Sequence, residues 1–155
     1  MQHLILYFVV AFIYLAVAFD FWRGAKSDSP TLKLHSAMIA LALLLHGWLL
    51  HKDIFAQGFN FGLANALSCI FWLTVLIYWL ADLGLFSAER QLQSLQAFVL
   101  PPAAIFAVLP AFSSSSHLMP EANASLFIVH IGIALLAYSL FTFAALHALL
   151  MAIAE

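Results

Sequence analysis

The sequence predicts an all-α fold: a polytopic membrane helical bundle with about five transmembrane helices, forming a single transmembrane domain over residues 1–155. Three observations predict it. Of the 155 residues, 66% are apolar and only 8% charged, with a mean hydropathy of +1.07, where soluble domains carry roughly 25% charged residues. Five Lys plus Arg and seven Asp plus Glu cannot give a soluble body of this size a polar skin. The apolar residues also fall into five long runs, at 3–22, 34–50, 61–80, 96–112 and 125–153, each close to the about 20 residues that cross a bilayer. These runs are apolar on every side, whereas the strands of a membrane barrel alternate.

The first run opens Met1-Gln2-His3 without a lysine or arginine, stays apolar to Phe19 and lacks a small-residue cleavage site before Arg23. It therefore reads as a retained span rather than a signal peptide. A polar loop, Arg23 to Thr31, separates it from the second, which gives way at His51-Lys52-Asp53 to a loop reaching Gly58. The third ends at Asp82, before a polar stretch that runs to Gln93. The fourth contains Pro101, Pro102 and Pro110, so a kink is expected where ring nitrogens remove helix hydrogen bonds. After a loop from Ser113 to Asn123, which includes the serine run Ser113–Ser116, the fifth carries Gly132, Ala134, Ala137, Ala144, Ala145 and Ala148. Residues this small let another helix approach closely. Trp22, Trp48 and Trp79, near span ends, are expected in the interfacial belts.

Loops one and three hold Arg23, Lys26, Lys33 and Arg90, while loops two and four hold only Lys52. The positive-inside rule then puts the N-terminus outside and the C-terminus inside. Composition excludes other classes. High aromatic content with little net charge is the opposite of disorder, and the chain has no basic face for nucleic acid. The lone Cys69 can form no intramolecular disulfide, and without a C-x-x-C-H motif the chain is no c-type cytochrome itself. Asp20, Asp82 and Glu89 are expected near the inner face and Asp53 and Glu121 in outer loops, so no acid is expected at mid-membrane for a coupled carrier. With no P-loop, H-E-x-x-H or G-x-S-x-G, side-chain catalysis has no support, and no enzyme is expected.

Seven histidines are the feature to explain in so apolar a chain, because intramembrane ionisable residues are functional hypotheses by default. His46 and His130 are expected at matching depth, roughly 9–10 Å below the outer loops. Neutral imidazole is a common axial ligand of haem iron, so this pair is the candidate metal site, as haem-iron ligands from spans two and five. Phe59, Phe61, Trp48, Phe127 and Tyr138 are available to line it, and Tyr138, two turns from His130, is a candidate hydrogen-bonding group for the cofactor. His51 and His117, in loops, are secondary candidates. A membrane histidine can equally just bond a neighbouring helix, and solvation explains loop histidines. His3, His35 and His147 are assigned to interface or packing roles.

The segment Leu126 to Ser139, with His130 and Tyr138, continuing through Phe141 to Ala145, resembles the His-led span of the cytochrome c assembly protein family (CcsA/CcmC type), closest to its HemX-like branch. Ala40 to Leu50, with His46, is the second point of similarity, and the order of spans and the Ser113 to Asn123 loop extend it over the chain. The resemblance implies a multi-pass protein of the bacterial cytoplasmic (inner) membrane that binds or delivers haem, b-type and non-covalently held, at the outer face. Its implied partners are haem, other cytochrome c assembly proteins or apocytochrome, and the bilayer. Trp22, Trp48, Trp72 and Trp79 do not form the family's tryptophan-rich haem signature. Family members are longer, so the chain is expected to correspond to their N-terminal part. The alternative is a cofactor-free helical membrane scaffold or assembly subunit.

Overall fold

The computed structural model describes residues 3–23, 29–56, 58–83, 95–113 and 125–154. They form five helices: α1 Leu4–Trp22, α2 Ser29–Phe55, α3 Leu63–Asp82, α4 Gln96–Phe112 and α5 Ser125–Ala154. Among the described residues there is no strand, only an isolated bridge between Ala56 and Gly58. By length and composition α1, α2, α3 and α5 can each cross a membrane; α4 is apolar but, at 17 residues, shorter. The expected all-α bundle is the fold observed.

Cross-helix contacts set the packing. Tyr7, Tyr14 and Asp20 of α1 meet Asp53, His46 and His35 of α2 in descending order, so the two helices run antiparallel. The indole N–H groups of α3 then tie it to α2: Trp72 donates to the Leu43 carbonyl at 2.8 Å, and Trp79 to the Ser36 carbonyl and hydroxyl at 3.1 and 2.9 Å. Gly47 makes room for this, because a Cβ there would stand 3.2 Å from the Trp72 ring. Trp79 is thus half-buried against α2, its N–H satisfied within the bundle rather than at a headgroup as expected for an interfacial belt.

α4 closes the core between α1 and α3. Its buried Ala103, Ala104 and Ala107 lie in one core cluster with Ala11 and Ala18 of α1, so the two backbones can pack closely. On the other side Phe71 of α3 stacks on Phe106 at 4.4 Å between ring centroids. α4 runs through Pro101, Pro102 and Pro110 as one helix, its missing bonds borne inside a packed bundle.

Both ends of α2 differ from expectation, and it begins at Ser29 rather than at 34. α2 continues past position 50 to Phe55, taking His51, Lys52 and Asp53 into the helix. Tyr7 donates its hydroxyl to the Asp53 carboxylate, giving a polar end a partner that the local sequence does not reveal. The turn comes only at Gly58, whose φ of 102° suits glycine. α5 also stands apart: 6% of its apolar window is buried, against 33–39% for the other three long helices. It rests on α3 and touches α4 only lightly. Its anchor is Ser139, which donates to the Ile70 carbonyl at 3.1 Å and to its own Leu135 carbonyl at 2.6 Å.

Candidate functional site

The polar atoms of the α1/α2/α3 core form a ladder. At one end stands the Tyr7–Asp53 pair; at the centre, His46; at the other end, His35, whose Nε2 lies 2.9 Å from an Asp20 carboxylate oxygen. His46 is completely buried. Its Nε2 lies 2.9 Å from the Ser68 hydroxyl of α3 and its Nδ1 3.4 Å from the Tyr14 hydroxyl of α1. A neutral imidazole has one donor and one acceptor nitrogen, and a hydroxyl can play either role. Both tautomers are therefore satisfied. His46 ties three helices together.

His130 is placed quite differently. It lies on the exposed flank of α5 and makes no hydrogen bond with a described residue. Tyr138 is also exposed on α5, at 62%. The structure does not bring His46 and His130 together. α2 packs on α1 and α3, α5 on α3 and α4, so α3 stands between them. Their depths differ too. Ser139 is level with Ile70 to Thr74, and His130 is nine residues, or about 13 Å, along α5 from that level. Ser68, which marks the level of His46, is only two to six residues from it, or about 3–9 Å. The expectation of matched depth rested on counting from loop ends, which ignores how helices slide past each other.

The remaining histidines divide similarly. His51 is exposed near the end of α2 and heads an aromatic row, its ring 5.3 Å from Phe55, which is 5.8 Å from Phe59, itself stacked on Phe61 at 5.5 Å. Phe59 and Phe61, expected to line a cofactor, here pack on one another. His3 meets the edge of Trp48 at 5.2 Å, and His147 is half-buried on α5. His117 lies outside the described residues. Among the described residues no three His, Cys, Asp or Glu side chains converge as a metal site would require.

The donor set can be tested against haem. An axial ligand must offer a nitrogen lone pair and an open approach. His46 has hydroxyls against both nitrogens and no exposed surface, so it does not fit without dismantling the core. His130 fits, as one accessible imidazole. Among the described histidines proposed as a pair, His130 is thus open to a ligand and His46 is not.

Sequence reasoning singled out the imidazoles and missed their partners, Tyr14 and Ser68 for His46 and Asp20 for His35, as well as the separate Tyr7–Asp53 pair. A signal for two of the pairings was present. Tyr7 and Tyr14 are seven apart on α1, and His46 and Asp53 are seven apart on α2. Polar residues at this spacing share a helix face, and antiparallel packing sets the two faces in register. Comparison of the chain with protein-family models, curated proteins and solved structures finds no match.

Proposed function

We propose that this chain is a multi-pass membrane protein of cytochrome c biogenesis that binds or delivers haem at the outer face of the bacterial cytoplasmic membrane, acting by ligation rather than catalysis. The observation that carries this reading is the exposed imidazole of His130 on α5, which bonds none of the described residues. A polar ring facing hydrocarbon is costly and needs a partner, and haem iron is one such partner. The resemblance of the Leu126 to Ala145 segment to the cytochrome c assembly family supports the same choice of residue. On this reading His130 would hold the iron and Tyr138, exposed on the same helix, would offer its hydroxyl to the cofactor's polar edge. His51 and His117 belong to the region that meets the haem acceptor, such as an apocytochrome. His46 keeps the bundle together.

The test is the absorption spectrum of the detergent-purified chain, before and after reduction, with haem counted per protein. His130→Ala should lose most of the haem, whereas His46→Ala should retain it per folded molecule. Equal haem in His130→Ala and the parent chain would overturn the assignment. A second reading, a cofactor-free helical scaffold or assembly subunit, is favoured by the closed hydrogen bonding of His46 and by the largely uncovered α5. It predicts a protein that stays colourless when haem is added.

A further inference from the structure

On the face of α1 toward its Arg23 end, beside Pro101 of α4, lies an open groove of about 560 Å³. That volume is within the range of ligand sites, on the order of 300–1,000 Å³. Its apolar floor is Ala16 and the buried Ala18 of α1, flanked by the exposed Phe12, Leu15 and Phe19 of the same helix and by Pro101 of α4. Its mouth is charged, with Asp20 and Arg23 one turn apart on the same helix and Trp22 beside them. From Phe12 to Arg23 the groove follows α1 for about 16 Å, which is close to half the roughly 30 Å hydrocarbon core. It therefore has the length of one acyl chain in one leaflet, and exposed Trp22 marks its open end as interfacial.

The charges at the mouth narrow the class of lipid. The Arg23 guanidinium lies over the Phe19 ring, its carbon 5.6 Å from the centroid, which leaves N–H donors for a phosphate. One oxygen of Asp20 faces Nε2 of His35 at 2.9 Å, and the carboxylate remains 54% exposed. A purely anionic headgroup would meet Arg23 favourably and Asp20 unfavourably. A headgroup with a phosphate and, beyond it, a primary ammonium meets both, because three N–H donors can reach the open carboxylate oxygen. A quaternary ammonium has no such donor.

We propose that the α1/α4 groove is a binding site for a single ethanolamine phospholipid, with an acyl chain along Phe12, Leu15 and Phe19, the phosphate on Arg23 and the ammonium on Asp20. The experiment is native mass spectrometry of the delipidated full chain, titrated separately with phosphatidylethanolamine, phosphatidylcholine and phosphatidylglycerol of matched chains. The ethanolamine lipid should occupy one site in preference to the other two. Arg23→Gln should lower occupancy by all three, by about tenfold for loss of a charge-assisted contact. Asp20→Asn should remove the advantage of ethanolamine over choline and raise glycerol-lipid occupancy. Ala16→Leu, which fills the floor and leaves the charges alone, should lower all three without changing their order. Equal occupancy by the three lipids in the parent chain overturns the proposal, as does unchanged binding in Arg23→Gln and Ala16→Leu. Those two variants leave Asp20 and its contact with His35 unchanged, so they decide the matter even if Asp20→Asn fails to fold.

Discussion

His46 illustrates how a membrane histidine can be fully accounted for without a cofactor. Its two nitrogens are met by hydroxyls from two other helices, so each partner's loss should leave a buried polar atom alone. Ser68→Ala strands Nε2 and should cost about 1–3 kcal/mol, read as a lower midpoint of thermal unfolding in detergent. Once His46 is replaced by leucine, the same serine change should cost much less, because there is no longer a ring nitrogen to strand. A double-mutant cycle measures that coupling, and strictly additive effects would contradict the contact. Tyr7 and Asp53 make a related case: the tyrosine is half of what keeps a carboxylate inside α2, and Tyr7→Phe should unwind the helix end near His51, seen as faster amide exchange there.

At the scale of the helix, the α2/α3 interface is set by a size match between Gly47 and Trp72. The indole is held by its bond to the Leu43 carbonyl and cannot retreat cheaply from a larger side chain at position 47. Gly47→Leu should destabilise the bundle by about 1–3 kcal/mol through overpacking, despite leucine's better helix propensity. Trp72→Ala in the same chain should recover part of that loss. Where helices begin and end was largely legible in the residues, since long apolar runs admit few alternatives. The end of α2 was not, because His51-Lys52-Asp53 is polar by composition and Asp53 finds its partner in Tyr7, more than forty positions away, while Ile54 is buried beyond it. The pairing of His46 with Ser68 was hidden for the same reason, while its pairing with Tyr14 left only the matching seven-residue spacings as a signal. Residue types announce that a polar group needs a partner, while the choice of partner depends on which helices touch. The mutual remoteness of His46 and His130 follows from α3 standing between α2 and α5, and that neighbour relation is invisible in hydropathy.

Taken as a whole, the molecule is a tight α1–α4 core with a fifth helix laid on its flank. The core cluster draws its buried side chains from α1, α2, α3 and α4, while α5 contributes only partly buried Phe143, Leu146 and Leu150. With one buried side chain among those described, Ser139, α5 should be the weakest-held part of the fold. Pulling the chain from its C-terminus out of a bilayer by single-molecule force spectroscopy should therefore extract α5 in a separate, low-force event before the other four leave together. Ser139→Leu removes the hydroxyl bonded to Ile70 and sets a bulkier group against α3, and should lower the force of that first event alone. One cooperative rupture of all five helices would mean that α5 belongs to the core. Two events would explain how α5 can present His130 to a partner without disturbing the hydrogen-bonded ladder around His46, since the element that moves would be the one that shares least with the core.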